Sequence, residues 1–323
     1  MKTNKKLKSI LTALLSLLSI LVVIAQPVKQ NGKLSVKGTF LVNENGEETV
    51  LRGVSYGWHN WWPRFYNEES VKWLAEDFKC DVVRAAMGVG PRGSYLDKKD
   101  WSKEKIEAVI RGAIENDVYV IIDWHSHEIH QEAAVDFFAE MAKKYGNNPH
   151  VIYEIFNEPV RDSWDTVKAY SIEVIKAIRA YDPDNIILVG SPHWDQDIHI
   201  VADDPIVGFT NLMYTLHFYA ATHKKDLRDR GDYAIKKGIP LFVSECAGME
   251  ASGNGPINYE SWNAWIDWME SNKISWVCWS IADKNETCSM LKPSAADTGN
   301  WKEEDMKESG IKTREKLRNF SNK

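Results

Sequence analysis

Short apolar, β-branched runs recur along the chain, with amphipathic segments between them. The runs are residues 50–55, 81–86, 118–123, 151–156, 186–189, 212–216, 241–244 and 275–279. The segments 69–78, 103–116, 132–145, 166–181 and 259–272 carry apolar residues at three- and four-residue steps. That spacing predicts helices with one buried face. Strands alternating with helices predict parallel pairing through right-handed crossovers. Eight such units, beginning roughly 25 to 37 residues apart, fit a (β/α)8 TIM barrel. A doubly wound open sheet is the alternative, but it would carry a Gly-rich phosphate turn after its first strand, and none follows residues 50–55. Ahead of the barrel, residues 32–48 read as a short β-hairpin with Asn45-Gly46 as its turn, placed to plug the barrel bottom. With no Pro/Ser/Gly linker, repeat or low-complexity tract, residues 26–323 read as one domain.

The start of the chain reads differently. Lys2, Lys5, Lys6 and Lys8 precede an almost wholly apolar stretch, which ends in Val23-Ile24-Ala25 before Gln26. This is the pattern of a secretory signal peptide over residues 1–25. A retained N-terminal anchor is the alternative, since about 20 apolar residues span a bilayer. No other stretch could cross a membrane, so a secreted or periplasmic protein without a stable membrane partner is expected. In an oxidising compartment disulfides persist, but Cys80, Cys246, Cys278 and Cys288 form no C-x-x-C pair and their pairing stays open. Cys246 and Cys278 lie in or beside apolar runs and are expected to pack as small hydrophobes.

Composition narrows the function classes. Apolar residues at 44% and charged residues at 27% exclude a disordered tail, a collagen-like rod and a polytopic membrane protein. The net charge of −6 becomes −10 without the leader, and no basic stripe compensates, which argues against a nucleic-acid partner. Fourteen tryptophans point to a ligand with flat apolar faces such as a sugar, or to a Trp-rich core. A monomer is expected.

In a (β/α)8 barrel the chemistry sits at the carboxyl ends of the strands. Here those ends are polar: Arg84 in the second run, Asp123-Trp124-His125 after the third, Asn157-Glu158-Pro159 after the fourth, His217-Phe218-Tyr219 after the sixth, Ser244-Glu245 after the seventh and Trp279 after the eighth. Glu158 and Glu245 come from nearly opposite sides. Two carboxyls facing one cleft are what glycosidic bond cleavage requires. One must hold a proton, which means raising an ordinary Glu value of about 4.3 by about two units. The other must stay ionised, and Arg84 and Tyr219 are placed to do that for Glu245. Taken singly, either Glu could equally be a salt-bridge partner in the barrel wall.

The segments V-V-R-A-A-M, I-I-D-W-H, I-F-N-E-P, L-H-F-Y-A, L-F-V-S-E and W-V-C-W-S-I-A-D-K-N-E-T occur in that order. The set resembles glycoside hydrolase family five, and within it the bacterial endo-β-1,4-glucanases, over about residues 30 to 320. The residues show one expected catalytic domain with no appended carbohydrate-binding module, and the resemblance implies a retaining double displacement that uses no metal or cofactor. It implies Glu158 as general acid/base and Glu245 as nucleophile. It also implies that Asn157 bonds the 2-hydroxyl of the sugar at the cleavage point, that His125 and His217 line that position, and that Trp279 is its floor. Arg84 and Tyr219 would tune Glu245. Lys284 and Glu286 resemble residues that grip the next sugar, and Trp61 resembles a stacking platform; Trp58, Trp62 and Trp194 are further stacking candidates. The implied partner is a β-glucan polysaccharide or oligosaccharide.

The chain departs from the family in two places. Cys246-Ala247 stands where many relatives carry an aromatic residue, and Gly57 stands where a His is common, which leaves His59 as a candidate substitute. Mannan, xyloglucan or mixed-linkage glucan are alternative substrates for the same barrel. A metal-dependent amidohydrolase-type barrel would use the His125-Ser126-His127 loop and His130. A sugar-binding barrel without catalysis would typically lack one of the two Glu.

Overall fold

In a computed structural model, residues 26–321 are described; the leader read over residues 1–25 lies outside them. Two short strands open the fold, β1 (Ser35–Lys37) and β2 (Phe40–Val42). They pair antiparallel, Ser35 opposite Val42 and Lys37 opposite Phe40. The hairpin is where it was expected, but its turn is not. The chain reverses at Gly38, whose positive φ of 62° suits a residue without a Cβ. Asn45-Gly46 instead closes a second turn, in which Gly46 N–H donates to the Asn43 carbonyl and Val42 bridges Glu48.

The barrel follows. Its strands are β3 (Arg52–Tyr56), β4 (Val82–Gly88), β5 (Tyr119–His125), β6 (Val151–Glu154), β7 (Ile187–Val189), β8 (Leu212–Thr215), a two-residue β9 (Phe218–Tyr219), β10 (Leu241–Ala247) and β11 (Ser275–Ile281). All barrel pairings are parallel, and β11 closes on β3 with Trp279 beside Ser55. β9 adds a short rung against the upper end of β10, Phe218 beside Cys246. The eight runs read from the sequence are the eight barrel strands, and the main correction is at the ends. β4, β5, β10 and β11 extend two or three residues beyond the apolar runs, and among the added residues are His125 and Glu245.

Helices cover the outside. Lys99–Glu115, Gln131–Tyr145, Trp164–Arg179 and Tyr259–Ser271 match the periodic segments. Local chemistry starts several of them: the side chains of Asn67, Ser163 and Asn258 accept backbone N–H groups of the first turn. The segment read as one helix over residues 69–78 is Glu68–Trp73 followed by a widened turn, Leu74–Phe78.

Alternation along the strands separates two cores. Val83, Ala85 and Met87, with Val120, Ile122 and Trp124, face the helices. The opposite faces look inward, and there the layers differ. At the barrel bottom Val82, Ile121, Ile152, Leu188, Met213, Phe242 and Val277 pack with Val28, Leu34 and Leu41 of the N-terminal segment, which acts as a plug. One step up each strand, two residues on, the inward layer holds Arg84, Asp123, Glu154, Thr215 and Ser244, all fully buried. The barrel is therefore sealed by apolar packing below and filled by ions above.

Candidate active site

Arg84 is the hub of the ionic layer. Its Nε and Nη2 donate to Glu154 at 2.7 and 3.0 Å, and Nη2 also donates to Asn157 Oδ1 at 2.6 Å. It lies 2.9 Å from Asp123 and 3.3 Å from Glu245. A buried guanidinium with three acids around it satisfies its donors and neutralises part of their charge. Burial and the Arg84 charge act in opposite senses on Asp123, and burial wins, pushing it up to about 7.

Above Arg84 the two glutamates meet. A carboxylate oxygen of Glu158, one of Glu245 and a ring nitrogen of His217 all lie within 4.8 Å of one another. Glu158 follows β6 and Glu245 lies in β10, so closure of the barrel, not sequence proximity, brings them together. Tyr219 Oη donates to Glu245 Oε1 at 2.7 Å, and Arg84 holds the other oxygen. His217 Nδ1 stands 3.0 Å from Glu158 Oε1, while its Nε2 meets Ser244 Oγ at 2.9 Å and Asp195 at 3.3 Å. His127 Nε2 lies 3.2 Å from Glu158 Oε2. Among the described residues no other His, Cys, Asp and Glu group is gathered tightly enough to hold a metal ion. Of the histidines in the rival metal reading, His125 turns to Asp123 at 2.7 Å and His127 to Glu158, while His130 precedes the helix Gln131–Tyr145.

The electrostatics of the two glutamates run opposite to the simple expectation. Burial raises Glu158, but the adjoining His127 and His217 rings outweigh it and hold the carboxyl well below its usual range. Glu245 is raised, by burial first and the Glu158 charge second. Burial would lower His217, yet Asp195, Glu158 and Glu245 push it up to about 9. His127 is raised, chiefly by its contact with Glu158. The surroundings thus favour protons on the imidazoles and the charged form of Glu158.

The remaining candidates fall into place unevenly. Trp279 is nearly buried, and the His125 ring stacks parallel to it at 5.1 Å. Asn157 Nδ2 is buried with no partner, a donor aimed at nothing in the protein. Trp61 is 50% exposed and leans on Trp58 at 4.7 Å, which meets His125 edge-on at 4.3 Å. Trp194 is 41% exposed and lines the cavity of about 480 Å³ that Glu158, His217, Tyr219 and Glu245 also line. Trp58 and Trp62 are partly buried against the core. Lys284 and Glu286 are ion-paired to each other, and Glu286 lines a neighbouring cavity beside Asn254 and Lys307. His59 does not replace the missing histidine. It is fully buried, taking the Gly88 N–H on Nδ1 and meeting Ser102 through Nε2. All four cysteines are buried free thiols, Cys246 and Cys278 facing each other at 3.8 Å.

Sequence reasoning missed Glu154, Asp195 and His127 as members of the site and read Ser244 only as a polar strand end. Glu154 carried a usable signal, a polar residue on the inward register of a strand, whereas Asp195 closes the short helix Pro192–Asp195. The signal for His127 was its place two residues after His125, where it was weighed only as a metal ligand.

Comparison with known proteins decides the family. A family model described as cellulase, glycosyl hydrolase family 5, matches residues 42–285. The chain belongs to that family. An endoglucanase of Clostridium saccharobutylicum is 42% identical over 87% of this chain and 64% of its own length. Endoglucanase Z of Dickeya dadantii is 44% identical over 81% of this chain and 62% of its own. The chain therefore spans somewhat under two thirds of these curated relatives. A solved structure from Cytophaga hutchinsonii has 46% identity and a TM-score of 0.90, covering 92% of this chain and 98% of that one. The catalytic domain of a Thermobifida fusca endoglucanase, solved in complex with cellotetraose, has 31% identity and a TM-score of 0.85 over 91% and 100% of the two chains. The family 5 fold thus covers the described barrel nearly end to end.

Proposed function

We propose that this family 5 barrel is a retaining endo-β-1,4-glucanase that cuts internal bonds of cellulose or a related β-glucan. One observation carries the reading: the Glu158 and Glu245 carboxyl oxygens approach within 4.8 Å across one pocket. That suits a retaining enzyme, whose carboxyls stand about 5–5.5 Å apart, rather than an inverting one at about 6.5–9.5 Å. Glu245 attacks the anomeric carbon while Glu158 gives its proton to the leaving oxygen. Water, deprotonated by Glu158, then releases the sugar from the Glu245 ester. Arg84 and Tyr219 favour the charge on Glu245, as the first step needs.

The orphaned Asn157 Nδ2 supports its role as donor to the 2-hydroxyl, since a buried unpaired donor gains most from a ligand acceptor. Trp279 serves as the floor, and His125 and His217 line the same position. Trp61 offers one stacking face and Trp194 another; one sugar ring contributes roughly 1–2 kcal/mol at about 25 cal/mol per Å² of apolar burial. Lys284 and Glu286 are assigned to the next sugar. The enzyme acts as a monomer, needs no metal or cofactor, and is exported after removal of residues 1–25. The substrate class follows the names of the two curated relatives above, both endoglucanases, and mannan or xyloglucan are outcomes that the test separates.

The test is hydrolysis of a polysaccharide panel by the wild-type protein and by Glu245→Ala and Glu158→Ala. Wild type should cut carboxymethyl cellulose or mixed-linkage glucan internally and release product with the β anomer first. Both variants should lose at least about 10³-fold while keeping the wild-type circular dichroism spectrum. Wild-type rates in Glu245→Ala, or first release of the α anomer, would sink the mechanism.

A further inference from the structure

Glu158 is held between two imidazoles, one on each oxygen, and the two are not equivalent. His217, on Oε1, is buried and tied through its other nitrogen to Ser244 and Asp195. Its charge is fixed by the acids behind it. His127, on Oε2, is 43% exposed on its side chain and opens onto the cavity. Among the described residues its polar contact is Glu158, and the edge of Trp58 packs on it at 5.7 Å.

The backbone fixes this contact. Asn157 N–H donates to the Trp124 carbonyl and Glu158 N–H donates to the Ser126 carbonyl. The β5–β6 ladder thus continues past the strand ends, and the residue after Ser126 is delivered beside the residue that must act as acid. Ser126 is buried and pinned in turn, its Oγ donating to the Glu128 carbonyl and accepting from the Glu128 N–H. His127 is therefore a positioned neighbour rather than a loose loop side chain.

We propose that His127 is the positioning residue that stores the acid proton of Glu158 and returns it across the Nε2–Oε2 contact when the leaving oxygen demands it. This rests on the glycosidase function proposed above. In the exchange the His127 Nε2–H bond breaks and a Glu158 Oε2–H bond forms, leaving a neutral imidazole and a neutral carboxyl. Glu158 then spends that proton on the leaving oxygen and recovers one from the attacking water. On product release the proton moves back to Nε2, so no net proton is consumed. The arrangement resolves the conflict between a Glu158 whose two imidazole neighbours favour its ionised form and a first step that needs it protonated. The groups facing His127 are Glu158 and Glu245 from β6 and β10, and Asp123 and His125 from β5. The three acids favour its charged form and His125 opposes it weakly, so the pair keeps its shared proton to higher pH than Glu158 would alone.

The test compares pH profiles of kcat/KM for full-length wild type and His127→Gln on two substrates. One is a cello-oligosaccharide, whose leaving group needs the proton. The other is 2,4-dinitrophenyl β-cellobioside, whose leaving group does not. On the oligosaccharide, His127→Gln should move the alkaline limb toward acid by about one pH unit and lose roughly tenfold in rate above neutrality. On the aryl glycoside the loss should stay within about twofold, which also shows that the variant is folded. Added imidazole should restore part of the oligosaccharide rate in His127→Gly. An unmoved limb, equal losses on both substrates, or no imidazole rescue would overturn the role. A wild-type protein inactive on both substrates would instead overturn the glycosidase function itself.

Discussion

At the scale of single residues, Arg84 does the most. Its guanidinium lies among Asp123, Glu154 and Glu245, and it also fixes the carbonyl side of Asn157. Removing one partner of a buried ion cluster leaves charge uncompensated, which typically costs about 3–5 kcal/mol. Arg84→Met should therefore lower the melting temperature by roughly 10 °C in calorimetry, at about 2–4 °C per kcal/mol for a chain of this size. It should also abolish activity, because Glu245 would take up a proton. A melting temperature within about 2 °C of wild type would show that the acids relieve one another without the guanidinium. His217 adds a second cation, and its value of about 9 keeps it charged across the neutral range. Its contribution to stability is complete below its ordinary value of about 6.5 and is lost as pH rises through about 9.

Elements place these residues by register. Each inward strand position repeats every second residue, so the apolar layer at Val82, Ile121 and Ile152 dictates the ionic layer at Arg84, Asp123 and Glu154. A slip of one residue would turn every ion toward the helices. Gly53 in β3 guards that register. A Cβ there would stand 1.7 Å from the Val82 carbonyl oxygen on the neighbouring strand. Gly53→Ala must push β3 from β4 and should destabilise by more than about 3 kcal/mol, beyond the usual overpacking penalty. Denaturant titration checks it, and a midpoint equal to wild type would mean that the strands separate at little cost. Turns are less legible. Asn45-Gly46 is a strong hairpin signal, yet Gly38 makes the hairpin, because Phe40–Val42 must lay Leu41 into the barrel bottom.

The whole molecule divides its labour along the barrel axis. The bottom is closed by apolar packing and the N-terminal plug, and the mouth carries the charges. Aromatic side chains follow the same division. Trp124, Trp262, Trp265, Trp276 and Trp301 are fully buried structural anchors, while Trp61 and Trp194 stand at the mouth. The reading of a Trp-rich core thus holds for the first set, and the second set is the one proposed to stack on sugar. The plug begins at Pro27, directly after the proposed export leader. Export with removal of residues 1–25 should leave Gln26 as the first residue by mass spectrometry of the secreted protein. Retention of Met1 in the exported form would favour a membrane anchor.

The sequence by itself determined the order of strands and helices, the six polar strand ends and the two glutamates among them. These are local properties, written in the apolar spacing and in the residue where each buried run stops. Only the tertiary structure decided what the strand ends do to one another. Arg84 and Glu245 are 161 positions apart and meet only because β11 closes on β3. The rest state of the proton, the burial of His59, the orphaned Asn157 donor and the pairing of His127 with Glu158 all depend on distances of a few ångströms between distant segments. Burial strengthens each of those interactions in a low-dielectric mouth, and no spacing along the chain encodes a dielectric.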